Sequence, residues 1–394
     1  MEKNREFTRY GLNENNDLNT KIVVFFICPF LSFLLACKNP LTKFNQWIIV
    51  LYFGLVGYSR KLSESGDAWT WTDVMVSFSD YDYKAVLNYY DSIYNIAYMI
   101  CLYLLSYIKY TAIIWSLIFM LTIKLFIYIY ELQFKKSNLK INKAFTNRNY
   151  IFFIFYIFFI PMTSYGVKFW VALDIFLLGY YIYVYKESII GIVILTSSFL
   201  FHYSFAYLII LFFIWYLFSR KSKYLWLLIF ILPILFNLPI SFKDDFIESK
   251  YESYSSGSLI ENRAFWIQID KFLSALFSIV SVITIMFYRK HLNKIEKDIL
   301  YFLVVFAVGL IPLIPTLDGL DRFSKVFTFM VLIFFAKLIK ENKMKLNILF
   351  YLSLPVLSYH LFVNYFMRKG EWDIDIFYNT IVHFLTGNLM TPVI

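Results

Sequence analysis

His202 lies in the segment Phe201-His202-Tyr203-Ser204 between two apolar runs, and Lys168 follows the turn residues Ser164, Tyr165 and Gly166 between the two runs before it. An imidazole exchanges protons near neutral pH, whereas an ammonium is a fixed charge there. At neighbouring helix tips the two can hold an anionic group and move a proton. Arg322 and Lys325 are three residues apart, which on a helix is one turn and one face. Guanidinium offers forked donors to a phosphate or pyrophosphate, and the ammonium adds charge. Each has a plainer reading. Lys168 also suits a lysine reaching for the membrane interface, His202 a packing histidine bonded to a carbonyl, and Asp318 with Asp321 can neutralise the Arg322 helix start.

Asp80-Tyr81-Asp82 has a carboxylate spacing that some sugar transferases use for a divalent cation, but nothing nearby completes a shell. A solvated acidic loop explains it equally well, so no metal is assigned. Asp174 comes six residues after Lys168, about 120° away on a helix at about 100° per residue, so the two are not expected to pair. Lys124 is an equally plausible partner, and a structural ion pair is the favoured reading for Asp174.

Membrane helices must position these groups. The 394 residues are 60% hydrophobic and 16% charged, with mean hydropathy +0.62, a balance far from that of a soluble domain. Charges inside such helices cost several kcal/mol, so those that persist mark polar cavities or substrate paths. Apolar runs predict crossings over 22–37, 46–58, 110–130, 150–163, 169–185, 188–201, 204–219, 224–238, 271–288, 299–314, 322–339 and 346–364, about twelve in all. The fold expected is an all-α polytopic bundle, one integral membrane domain over 1–394.

The apolar segment 93–108 is placed as a re-entrant or interfacial helix. Counting it as a crossing would put the basic loop with Lys135, Lys136, Lys140, Lys143 and Arg148 outside, against the positive-inside rule. Two outer loops remain, 59–92 and 239–270. They carry acidic, basic, tryptophan and tyrosine residues that include Asp82, Tyr254 and Arg263. Beyond Glu371, Ile374, Phe377, Ile381 and Leu385 have helical spacing and suit a tail lying on the outer surface. The mixed-charge start has no cleavage pattern, so the first apolar run is expected to span. Cys28, Cys37 and Cys101 have no metal or pairing pattern, no loop has a phosphate-cradling glycine pattern, and neither nucleic acid nor a cofactor is expected.

Tyr165-Gly166-Val167-Lys168-Phe169-Trp170 followed by Phe201-His202-Tyr203-Ser204 resembles the EpsG-like group of Wzy polysaccharide polymerases, whose members have a Gly-hydrophobic-Arg turn and a Phe-His-hydrophobic/Tyr-Ser tip. Asp80-Tyr81-Asp82-Tyr83 with the apolar run from Ile93 resembles the group's outer-loop signature, and Arg60, Tyr251/Tyr254 and Arg322 also have counterparts. Lys168 stands where the group has arginine, which keeps charge but loses the fork.

The resemblance implies a GT-C-like membrane glycosyltransferase in the bacterial inner membrane with its site facing the periplasm. It would join oligosaccharide repeat units carried on undecaprenyl pyrophosphate into O-antigen, capsule or exopolysaccharide, alongside a flippase and a chain-length regulator. Arg60, Lys168, Arg322 and Lys325 would then bind the pyrophosphate. His202 or Asp80 would deprotonate the acceptor hydroxyl with inversion at the anomeric carbon, and Asp82, Tyr254 and Arg263 would contact sugar. The rival classes are a lipid-linked oligosaccharide flippase, which should show repeated halves, and a membrane-bound O-acyltransferase, which also uses an intramembrane histidine.

Overall fold

A computed structural model of the chain describes residues 19–59, 96–107, 111–135, 150–154, 156–157, 167–218, 265–313, 317–340 and 347–363. The described residues are helices and their connections, with no strand among them. In chain order the helices are α1 (19–27), α2 (Pro29–Cys37), α3 (Lys43–Tyr58), α4 (Ile96–Ser106), α5 (Thr111–Lys135), α6 (Val167–Lys186), α7 (Ile189–Ser197), α8 (Phe205–Phe218), α9 (Phe265–Phe287), α10 (Lys294–Gly309), α11 (Leu317–Lys340) and α12 (Asn347–Leu361). Among the described residues, Trp115–Gln133, Phe169–Lys186 and Gln268–Phe287 are each long and apolar enough to cross a membrane. The chain is a membrane protein built of helices.

Some boundaries differ from the hydropathy reading, each for a local reason. The expected helix over 22–37 is broken at Cys28, which is extended at φ −146° and ψ 91°, because Pro29 lacks an N–H and crowds the residue before it. Helix α10 starts at Lys294 rather than 299. The Asn293 side chain accepts from the Glu296 N–H at 2.9 Å while Glu296 accepts from the Asn293 N–H at 2.9 Å, a reciprocal cap. Helix α9 starts at Phe265, inside the outer loop expected to run to 270, so Asp270 is a helical residue.

Two compact units form, described separately. In the first, α2 and α3 pack together and α3 packs along α5, around buried Phe33, Tyr52, Phe53, Phe126 and Tyr130. The second contains residues 175–186 of α6 and helices α7 to α12. Helix α6 turns back into α7 through Glu187, at φ 53°, and Ser188, whose hydroxyl caps α7. The hairpin closes on two glycines. A Cβ on Gly179 would lie 2.3 Å from the Leu195 nitrogen, and one on Gly191 would lie 2.5 Å from the Tyr183 nitrogen. Only hydrogen fits between these backbones.

Ring contacts set the chain directions in this unit. Phe176 meets Phe205 and Tyr180 meets Phe212, so α6 and α8 run parallel. Helix α10 runs against α8, since Phe302 meets Trp215 while Gly309 lies against Leu211. It also runs against α11, with Phe306 on Phe327 at one level and Glu296 beside Lys337 at the other. The short connection 288–293 makes α9 antiparallel to α10, hence parallel to α11.

Candidate functional site

The residues from Ser198 to Ser204 form the turn between α7 and α8, and His202 is buried in it. Its Nδ1 lies 2.7 Å from the Ser204 hydroxyl and accepts the Ser204 backbone N–H at 3.3 Å. A backbone N–H can only donate. In the neutral ring the proton therefore sits on Nε2, which becomes a donor, while Nδ1 helps cap the start of α8.

Helix α8 carries this turn to the start of α11. Tyr207 donates to the Gly309 carbonyl at the end of α10 and packs its ring on Phe323, at 5.4 Å between centroids. Phe323 follows Arg322, and both Arg322 and Lys325 are half-buried in the first turns of α11. The His202 turn and the Arg322/Lys325 pair thus share one end of the second unit.

A second histidine belongs to that end. His360, near the end of α12, places Nδ1 3.1 Å and 2.9 Å from the two carboxylate oxygens of Asp270 on α9, and both residues are buried. A carboxylate only accepts, so Nδ1 donates and the lone pair of the neutral ring sits on Nε2. In their neutral forms His360 and His202 therefore hold opposite tautomers.

The level of the pair follows from the polar row between α9 and α11. The Thr328 hydroxyl, which donates to the Ser324 carbonyl of its own helix at 2.9 Å, accepts from the Ser278 hydroxyl at 2.8 Å and stands 3.5 Å from the Ser274 carbonyl. Thr328 is thus level with the midpoint of 274 and 278. Six residues back on each parallel helix, about 9 Å at 1.5 Å per residue, stand Asp270 and Arg322.

The opposite end of the unit holds a different polar cluster. Lys337 Nζ is 3.5 Å from Glu296 Oε1 and 3.4 Å from the Tyr185 hydroxyl, which it approaches over the ring. Glu296 also caps α10, so this pair already has a structural purpose.

In the first unit, Lys124, one of the two partners the sequence offers Asp174, does not pair with it, and the side chain of the other, Lys168, lies outside the described residues. Asp174 Oδ2 accepts from Thr122 at 2.8 Å, and Lys124 donates to Gln46 at 2.7 Å beneath the Trp47 ring. Residues 122 and 124 are about 200° apart around α5, so the two carry Asp174 and Gln46 on different faces.

Of the residues singled out in the sequence, His202, Arg322 and Lys325 come together at one end of the second unit. Lys168 is the second residue of α6, in the first unit, with its side chain outside the described residues. Arg60, Asp80, Asp82, Tyr254 and Arg263 also lie outside them. Asp270 and His360 were passed over. Asp270 reads as the last residue of a loop, and His360 as part of a crossing; the available signal is an acid that follows Ile269 and an imidazole between Tyr359 and Leu361, both in largely apolar stretches.

The family model described as the EpsG family matches residues 44–380. No curated protein and no solved structure matches the chain.

Proposed function

The chain belongs to the EpsG family, and on that premise we propose that it is a membrane polysaccharide polymerase acting on repeat units linked to undecaprenyl pyrophosphate. The product is O-antigen or a related surface polysaccharide. The site faces the periplasm from the inner membrane, in a GT-C-like bundle of about twelve crossings, and a flippase and a chain-length regulator work beside it.

The observation that carries this reading is the gathering of a donor imidazole and two cations at one end of the second unit, tied together by Tyr207. In polymerisation the acceptor sugar hydroxyl attacks the anomeric carbon of the donor chain. The bond from that carbon to the pyrophosphate oxygen breaks, and its electrons leave with undecaprenyl pyrophosphate. Attack from the opposite face inverts the anomeric centre.

Negative charge grows on the departing pyrophosphate, and stabilising it in the transition state is where an enzyme gains rate. Arg322 and Lys325, with Arg60 and Lys168, meet that charge. His202 presents Nε2–H as a further donor to the leaving group. Asp80 remains a candidate base, and Asp82, Tyr254 and Arg263 contact the sugars. The leaving group is already activated, so no nucleotide is consumed.

Cells lacking the gene and complemented with Arg322→Ala, Lys325→Ala or His202→Ala test the site. The expected polysaccharide ladder is shortened to one or a few repeats with protein present in normal amounts. Full-length ladders from all three contradict it.

A further inference from the structure

His202 has its Nδ1 occupied as a helix cap, which leaves Asp80 as the remaining candidate base from the sequence, and a second proton acceptor, His360, stands at the same end of the unit as Arg322. Resting on the polymerase reading, we infer that His360 is the general base of the transfer and that Asp270 is its positioning residue. Asp270 accepts the Nδ1–H hydrogen bond through both oxygens, fixes the ring, and leaves the lone pair of the neutral ring on Nε2. When the acceptor hydroxyl attacks, its proton passes to His360 Nε2 and then to water. The new carbon–oxygen bond forms as the bond to pyrophosphate breaks, and undecaprenyl pyrophosphate leaves with the electron pair. The Asp270 carboxylate balances the charge that the ring acquires.

Two observations favour a chemical role over a structural one. Burying an acid and an imidazole together seldom stabilises a fold more than apolar packing of the same volume. Glu296 has a second task, capping α10, which accounts for the Lys337 pair, whereas Asp270 lies beyond the first turn of α9. Position agrees with chemistry. Asp270 is level with Arg322, so the base and the pyrophosphate cations occupy one depth of the unit, and Ser274, Ser278 and Thr328 continue the polar row inward.

The test uses membranes of a gene-deleted strain that still exports its own lipid-linked repeat unit, carrying the full-length chain or its variants. Initial rates of chain growth are followed with the protein amount measured. His360→Ala is expected to lower the rate on the order of 100- to 10,000-fold, with partial recovery when imidazole is added. Asp270→Asn is expected at wild-type amounts, with kcat reduced at least about tenfold and KM for the lipid-linked unit unchanged.

Wild-type rates in either variant overturn the inference. So does loss of both proteins from the membrane, because the pair is then structural. If the wild-type chain itself fails to lengthen the repeat unit, the polymerase reading falls first, and the two failures are told apart.

Discussion

Lys337 Nζ stands 3.5 Å from Glu296 Oε1 with both side chains buried, and the same carboxylate caps the first turn of α10. The pair ties the end of α11 to the start of α10. Removing the lysine alone leaves the buried Glu296 carboxylate without its cation, and breaking a buried pair in this way costs about 3–5 kcal/mol. Lys337→Met is therefore expected to lower the melting temperature in detergent sharply. Lys337→Met with Glu296→Gln should recover much of the loss, since glutamine keeps the cap and carries no charge. Equal melting of the single and double variants contradicts this account.

Asp174 depends on Thr122 rather than Lys124. Thr122→Val removes the hydrogen bond to Asp174 Oδ2 and is expected to destabilise the protein by about 1–3 kcal/mol. A double-mutant cycle between positions 124 and 174 should show little coupling, and one between 122 and 174 a clear interaction. Coupling confined to Lys124 is the opposite result.

The α6–α7 hairpin leaves no room for a methyl group. Gly179→Ala and Gly191→Ala should each destabilise by roughly 1–3 kcal/mol, because the atoms met are backbone and cannot rotate away. Thermal unfolding reads this, and an unchanged melting temperature argues against the close approach.

Ser204→Ala removes the hydroxyl at 2.7 Å from His202 Nδ1 but keeps the backbone N–H on that nitrogen. Chain growth is expected to fall by only a few-fold, while His202→Ala falls much further. The ratio of the two rates in membranes checks that the backbone, and not the hydroxyl, fixes the ring.

Hydropathy made the helical architecture legible and found the His202 turn and the Arg322/Lys325 pair, because ionisable groups stand out against apolar runs. The boundary at Asp270 was not legible: a helix that emerges from an apolar run carries polar residues in its first turns, and hydropathy reads those as loop. Glu296 was hidden in the same way by the reciprocal cap with Asn293. Of the two partners that charge suggests for Asp174, Lys124 is ruled out for a geometric reason, since the face of α5 decides which residue Asp174 meets. A histidine tautomer has no sequence signal at all. It is set by whether a donor or an acceptor lies beside Nδ1, which separates His202 from His360.

The central claim is that this chain alone joins lipid-linked repeat units. The most direct measurement is to reconstitute the purified protein in liposomes with its undecaprenyl-pyrophosphate-linked repeat unit, without nucleotide, and to follow oligomer length on the lipid. The account predicts a ladder of multimers and release of undecaprenyl pyrophosphate, lost in Arg322→Ala. Repeat units that cross the bilayer yet remain single would contradict it and identify a transporter.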